Sequence, residues 1–249
     1  HLNADITVVD LADRILPSIL DIRAGEIMQK HIEDKGTKFI LGTSVEQFSK
    51  NSAKLTNGDT VDFDILVVAV GVRPNTELVS DAGGKVEKGI ITDLHQQTTL
   101  DNVYAAGDCT VSHDCSSNTD RILALLPNAF MQGEVAGKNM AGETLYLNAI
   151  PMNAIGFYGL HIITAGSYDG DEDITEDADK EIYKKLVFKD GLLKGFILMG
   201  DVARAGIYTS MIKEQIPLTE VDLDLLREKP QMMMFGKARR EEKLAGKKH

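Results

Sequence analysis

The feature that most constrains this chain is the segment from Thr98 to Asp108, which predicts a buried strand ending in a Gly-Asp pair. The residues Val103–Ala106 are apolar, aromatic or small, as in a buried strand. Gly107 carries no side chain, so a ligand can approach its backbone closely. Asp108 then places a carboxylate at the carboxyl end of the strand, where open α/β sheets bind ligands. We expect it to accept hydrogen bonds from a sugar or sugar alcohol, although a Gly-Asp pair alone would also suit a capped turn.

Composition restricts the classes of protein to which this chain can belong. Its 249 residues, 43% hydrophobic and 26% charged, are typical of one or two globular domains with a sizeable core. A net charge of -11 argues against nucleic acid or an anionic membrane as partner, and no apolar run is long enough to span a bilayer. The two cysteines, Cys109 and Cys115, have no metal-ligand grouping around them, so we expect no metal and a reducing cytoplasm.

A second carboxylate follows an apolar run near the first residue. Ile6–Asp10 predicts a short strand ending in an acid. In a dinucleotide-binding βαβ unit, such an acid binds ribose hydroxyls and follows a glycine-rich turn by about 20 residues. No Gly-x-Gly-x-x-Gly occurs in the sequence. Taken alone, Asp10 would simply cap the next turn.

Periodicity and turn residues predict the principal elements of the first half. Apolar spacing favours a helix over Ser18–Lys35. Asn57-Gly58 predicts a hairpin turn, and Ile65–Val70 predicts a central parallel strand. The polar run Cys109–Asp120 predicts a loop, and Leu123–Met140 predicts a helix.

From about Pro151 the pattern becomes that of a smaller α+β domain. Asp190-Gly191 predicts a hairpin turn between two strands, and Gly200-Asp201 predicts a cap for a helix running to about Gln215. The acidic residues 169–181 predict a solvated loop, with the docking of a basic partner as the less favoured alternative. The basic tail from Lys237 predicts a frayed end.

Three motifs together resemble one enzyme family, the FAD-dependent pyridine nucleotide-disulfide oxidoreductases. The segment Thr98–Asp108 is similar to the second flavin motif of that family. Val8–Pro17 resembles its NAD-domain segment, and Ile65–Asn75 resembles the strand that leaves the NAD domain for the FAD domain. Asn153–Ser167 and Lys194–Ile212 are closer to the branch of NADH oxidases, rubredoxin reductases and nitrite reductases.

The resemblance implies an α/β fold in which partial NAD-binding and FAD-binding Rossmann-like domains precede a smaller α+β C-terminal interface domain. The expected boundaries are 1–73 for the NAD(H)-binding part, 74–148 for the FAD-binding part, 149–228 for the dimerisation domain and 229–249 for a flexible tail. The chain would then be the C-terminal portion of a longer homodimeric enzyme. Both the N-terminal FAD-binding region and the NAD glycine-rich turn would lie outside it.

The resemblance also assigns roles to individual residues. Asp108, after Gly107, would bind the ribityl chain of FAD, and Tyr158 would face the flavin. The helix that begins near Leu125 would direct its free N–H groups and positive end at the reduced flavin. Leu125 and Leu126 would act there through their backbone or serve only as core. The implied cofactor-binding residues are Asp10, Gly71, Gly107, Asp108, Leu125, Leu126 and Tyr158.

The implied function is an oxidoreductase that passes electrons from NAD(P)H through FAD to an acceptor. That acceptor would be a small electron carrier, oxygen or a disulfide. Asp10 favours NADH because a carboxylate repels a 2′-phosphate, unless Arg14 reaches back to offset it. Cys109 and Cys115 lack the spacing of a redox-active dithiol and are interpreted as free thiols, and no catalytic residue is identified. The alternative is a non-catalytic truncated fragment that serves as a dimerisation module without flavin.

Overall fold

The computed structural model describes residues 4–245 and divides into two compact units. The first unit contains the chain up to Val72 together with Ile155–His161. The second contains Arg73–Ala154 and the chain from Ile162 onward.

The first unit opens with a βαβ arrangement. Strands β1 (Thr7–Val9) and β2 (Lys38–Ile40) are parallel, and helix α1 (Ile22–Glu33) connects them. The predicted start of this helix at Ser18 is wrong by four residues. The side chain of Asp21 caps the helix by accepting a hydrogen bond from the Ala24 N–H at 2.9 Å, so the helix begins at Ile22.

An antiparallel meander follows in the same unit. It consists of β3 (Val45–Phe48), β4 (Ser52–Leu55) and β5 (Thr60–Asp62). The turn predicted at Asn57-Gly58 is confirmed, because it connects β4 to β5 and Gly58 has a φ of +96°. A glycine tolerates this left-handed conformation without steric cost.

The strand predicted over Ile65–Val70 is not formed in the structure. This segment has no regular secondary structure, and its side chains are exposed, with Val70 at 90%. Within residues 4–245 no strand pairs with it. An apolar run becomes a central strand only where neighbouring strands satisfy its backbone and helices cover its faces, so sequence alone overestimated this element.

The first half of the second unit contains a three-stranded sheet and a long helix. Its elements are α2 (Glu77–Ser80), β6 (Ile90–Ile91), β7 (Thr110–Asp114), β8 (Thr119–Ile122) and α3 (Leu126–Met140). Strand β7 is parallel to β6 and antiparallel to β8. The loop predicted over Cys109–Asp120 is therefore wrong. The Thr110 and Ser112 side chains of β7 are buried, and they hydrogen bond to each other and to Gln132 on α3.

The second half of this unit is built on a five-stranded sheet with the order β11-β12-β13-β10-β9. Its strands are β9 (Met152–Phe157), β10 (Leu160–Gly166), β11 (Asp171–Asp177), β12 (Ile182–Lys189) and β13 (Leu192–Met199). The helices are α4 (Ala205–Lys213), α5 (Leu223–Glu228) and α6 (Lys237–Leu244). The turn predicted at Asp190-Gly191 joins β12 to β13, and both of its residues have positive φ.

The core of the second half lies between this sheet and α4. Phe196 on β13 packs against Tyr208 on α4, with ring centroids 5.4 Å apart. The Tyr208 hydroxyl donates a hydrogen bond to the carbonyl of Leu226 at 2.8 Å, and burial raises the pKa of this tyrosine well above its ordinary value. Met234 and Phe235 join the same core.

Two local predictions for this half are wrong. The acidic run forms edge strand β11, where Glu172 pairs with the buried Lys185 on β12. Helix α4 begins after Arg204 without a side-chain cap, because the Asp201 carboxylate instead accepts from the Ala203 N–H in the preceding turn. Within the stretch expected to be a flexible tail, Lys237–Leu244 form α6, whose Lys243 pairs with Glu214 at 2.8 Å, and the flexibility of the tail stays a prediction.

Candidate functional site

The candidate site begins at the Thr98–Asp108 segment, which differs from the buried strand predicted for it. Residues 99–102 form a turn, with Asn102 at a φ of +61°, and Gln97 and Tyr104 form an isolated antiparallel bridge around it. Val103–Ala106 are half-buried rather than buried. Gly107 and Asp108, at the end of the segment, lie just before the start of β7 at Thr110.

The backbone at Gly107 is fixed on both sides. Its φ is +88°, the left-handed region that favours glycine. Its carbonyl accepts hydrogen bonds from the Thr110 N–H at 3.0 Å and the Thr110 hydroxyl at 2.8 Å. Its N–H donates to Oε1 of Gln132 on α3 at 2.7 Å. We call residues 107–110 the Asp108 turn.

The Asp108 carboxylate is exposed at this turn. Among residues 4–245, no group donates a hydrogen bond to it. An exposed, unbonded carboxylate keeps its full capacity to accept hydrogen bonds from a ligand.

The amino end of α3 lies beside the Asp108 turn. A Cβ atom placed on Gly107 would be 3.7 Å from the Cβ of Ala129, in the first turn of the helix. Leu125 precedes the helix in an extended conformation, and Leu126 is 88% exposed. The Leu126 side chain therefore does not belong to the core. Its N–H, like that of Asn128, has no acceptor within the helix, because the first turn leaves such groups free.

Asp10, in the first unit, ends β1 as predicted and is exposed. One of its carboxylate oxygens accepts a hydrogen bond from the Ala12 N–H at 2.9 Å. This oxygen therefore caps the next turn, as expected for Asp10 taken alone. Arg14 does not reach back to Asp10; its Nη1 lies 3.1 Å from the Asp13 carboxylate.

Gly71 and Tyr158 also belong to the first unit. Gly71 is exposed and has a φ of +93°. Tyr158 and Gly159 both have positive φ and form the turn between β9 and β10. The Tyr158 hydroxyl lies 3.4 Å from the Thr37 hydroxyl. Of the seven predicted residues, the structure thus brings together Gly107, Asp108, Leu125 and Leu126 in one unit, whereas Asp10, Gly71 and Tyr158 are in the other.

Sequence reasoning missed the hydrogen-bonding role of Gln132. This residue is fully buried, and its Nε2 donates to the Ser112 hydroxyl on β7 at 3.1 Å while its Oε1 accepts from Gly107. The signal that could have identified it is a glutamine on the apolar face of a predicted helix, where a polar side chain needs a specific partner.

The remaining chemical groups do not add a second centre. Both cysteines are free thiols, and burial together with the nearby Asp114 charge raises the pKa of Cys115 to about 11. In the part of the chain that the structure describes, no group of His, Cys, Asp and Glu residues could hold a metal ion. Over the same residues, no helix is both long enough and apolar enough to cross a membrane.

Comparison with protein families identifies the class. The model described as pyridine nucleotide-disulphide oxidoreductase matches residues 1–133, which is more than half of the chain. A second model, the rubredoxin NAD+ reductase C-terminal domain, matches residues 151–216. The chain belongs to the pyridine nucleotide-disulphide oxidoreductase family, as its motifs predicted.

Individual relatives agree with this assignment. The chain is 32% identical over 228 residues to the epsilon subunit of NADH-dependent phenylglyoxylate dehydrogenase from Aromatoleum evansii, covering 87% of this chain and 54% of that subunit. It is 29% identical to rubredoxin-NAD(+) reductase from Acinetobacter baylyi, covering 91% and 56%. The chain thus spans about half the length of these two relatives.

A solved structure shows the same fold. The chain superimposes on putidaredoxin reductase, from its covalent complex with putidaredoxin, with a TM-score of 0.81 at 20% identity. The match covers 91% of this chain and 56% of that structure. The α/β fold expected from the sequence is confirmed, and the relatives in this family use FAD and NAD(P)H.

The residues of the Asp108 turn fit a flavin dinucleotide in two respects. The exposed Asp108 carboxylate has no protein partner and can accept hydrogen bonds from a polyol chain. The amino end of α3 offers unpaired N–H groups and a partial positive charge to the pyrimidine edge of a reduced flavin.

Proposed function

We propose that this protein works as an NADH-dependent FAD oxidoreductase, in which electrons pass from NADH through FAD to a separate acceptor. The observation that carries this proposal is the exposed, unbonded carboxylate of Asp108 beside the amino end of α3. When bound, FAD would supply the redox chemistry by accepting a hydride from NADH and passing electrons on.

The chain's own residues would bind and orient the cofactors. Asp108 would accept hydrogen bonds from the ribityl hydroxyls, and the left-handed Gly107 would let the chain approach closely. The N–H group of the exposed Leu126 and the positive end of the helix would favour negative charge on the flavin. Leu125 would also act through its backbone, whose extended conformation leads into α3.

The preference for NADH rests on Asp10. Its exposed carboxylate can bind the free ribose hydroxyls of NADH and would repel the 2′-phosphate of NADPH. Arg14 pairs with Asp13 and so does not offset that repulsion. Gly71 and Tyr158 stay predicted cofactor contacts.

For the acceptor we favour a small redox protein. The support is the match of residues 151–216 to the C-terminal domain of rubredoxin NAD+ reductase, together with the resemblance to rubredoxin-NAD(+) reductase. Cys109 and Cys115 give no support to a disulfide acceptor, because both are free thiols and Cys115 is buried. The homodimer and the cytoplasmic location stay predictions.

The proposal is tested by measuring FAD affinity in the purified protein and in its Asp108→Ala variant. Losing a charged acceptor from hydrogen-bonded hydroxyls costs about 1.5–3 kcal/mol, so the Kd for FAD should rise roughly 10- to 100-fold. The matched control is Asp101→Ala, which removes another exposed carboxylate from the same segment and should leave the Kd unchanged.

Two results would contradict the proposal. Equal FAD affinity in Asp108→Ala and Asp101→Ala would remove Asp108 from the site. A wild-type protein that binds no FAD would favour the alternative, a dimerisation module without flavin. The electron-transfer step is tested by adding NADH and measuring the loss of the visible absorption of oxidised flavin as the bound flavin is reduced.

A further inference from the structure

A buried polar network joins the Asp108 turn to the interior of α3. Its central member is Gln132, whose side chain is completely shielded from solvent. Oε1 of Gln132 accepts from the Gly107 N–H at 2.7 Å and lies 3.4 Å from the Thr110 hydroxyl. Since Oε1 is the amide atom able to accept from an N–H, chemistry fixes the orientation of this side chain.

The other end of the same amide is held by β7. Nε2 of Gln132 donates to the Ser112 hydroxyl at 3.1 Å. That hydroxyl lies 3.4 Å from the side chain of Gln96, which is also buried, and 3.2 Å from the hydroxyl of Thr92. The network therefore connects α3 to β7, the strand that begins where the Asp108 turn ends.

This arrangement sets where the Asp108 backbone lies relative to α3. Gly107, the residue before Asp108, donates its N–H to Gln132 on the helix, and its carbonyl accepts a hydrogen bond from Thr110. Gln132 lies two turns into α3, so its hydrogen bond connects the turn to the body of the helix rather than to its first turn. The Asp108 side chain makes no such connection to α3, because it faces solvent.

We propose that Gln132 is a positioning residue for flavin binding. It holds the carboxylate of Asp108 and the free N–H groups at the start of α3 at a fixed separation, so that one FAD molecule can engage both. The inference rests on the proposed function, since it concerns how Asp108 is presented to the cofactor.

The test is a double-mutant cycle on FAD affinity with Gln132→Met and Asp108→Ala. Methionine is close to glutamine in size and flexibility, but its thioether sulfur is only a weak acceptor for the Gly107 N–H, so the attachment of the turn to the helix is weakened. Gln132→Met alone should raise the Kd for FAD roughly tenfold. In the Asp108→Ala background the same change should have little effect, because the group that it positions is already gone.

Asn139→Leu is the matched control for loss of stability. Asn139 lies at the other end of α3 and, like Gln132, uses its side-chain amide to hold backbone groups, donating to the carbonyls of His95 and Leu145. Its variant should lower the melting temperature and leave the FAD affinity unchanged. If Gln132→Met does not fold, Ser112→Ala breaks the same network at its second bond and should give a smaller effect with the same dependence on Asp108.

The outcomes separate the two proposals. If Gln132→Met raises the Kd by the same factor with and without Asp108, Gln132 has only a structural role and the inference is wrong. If Asp108→Ala itself does not change the Kd, the proposed function fails first. An effect of Gln132→Met that depends on Asp108, with no effect of Asn139→Leu, supports the inference.

Discussion

Replacing Gly107 by alanine isolates the backbone conformation of the Asp108 turn. The new Cβ would have Ala129 Cβ as its nearest neighbour at 3.7 Å, which is an ordinary van der Waals contact. Steric overlap therefore contributes nothing, and the cost is that of holding an L-residue at a φ of +88°. That cost is about 1–2 kcal/mol.

The strain should appear in stability or in binding, depending on whether the variant keeps the turn. If the variant keeps the turn, the folded state loses about 1–2 kcal/mol, a decrease of several degrees in melting temperature for a chain of this length. If the turn relaxes instead, FAD must restore it on binding, and the affinity falls roughly 5- to 30-fold. Isothermal titration with FAD and a thermal melt of the unliganded protein measure the two effects.

Gly142→Ala is the control for this substitution. Gly142 follows the far end of α3 with a φ of +91°, and nothing lies within 4 Å of its added Cβ. It should lose comparable stability without any change in FAD affinity, and Gly107→Asn should recover part of the affinity because asparagine tolerates the left-handed region. A Gly107→Ala variant that loses neither stability nor FAD affinity would refute the claim that this left-handed turn presents the carboxylate.

Two further predictions concern the carboxylate at Asp10 and the thiols. Asp10→Ala should reduce the preference for NADH over NADPH in steady-state kinetics, and an unchanged preference would remove Asp10 from the nucleotide site. Iodoacetamide at pH 8 should modify Cys109 first in the folded protein, because burial and the Asp114 charge raise the pKa of Cys115 from 9.0 to about 11. The raised pKa favours the buried neutral thiol, so its contribution to stability should be complete below pH 9 and disappear towards pH 11. Equal modification rates, measured by mass spectrometry of the folded protein, would contradict this.

The sequence predicted the elements whose signals are local. Asn57-Gly58 and Asp190-Gly191 both form hairpin turns, since a left-handed conformation is a property of the turn residues themselves. The helix predicted from Leu123 begins only three residues later, where Pro127 fits the first turn. The family motifs around Asp10 and Asp108 were sufficient to identify the family.

The elements that depend on distant partners could not be predicted in this way. Strand β7 is polar in sequence, and its burial follows from Gln132 on α3, 20 residues from Ser112 along the chain. Strand β11 is acidic, and it lies against β12, where its Glu172 pairs with the buried Lys185. Conversely, Ile65–Val70 has the composition of a central strand but no strand beside it within residues 4–245. Hydrophobicity and propensity describe a residue's preference, whereas its partners decide whether that preference is met.

A crystal structure of the protein with FAD bound is the most direct test of the proposal that Asp108 binds the flavin. It should place a ribityl hydroxyl within hydrogen-bond distance of the Asp108 carboxylate, with the amino end of α3 facing the pyrimidine edge of the flavin. FAD bound elsewhere, with this carboxylate still surrounded by water, would contradict the account.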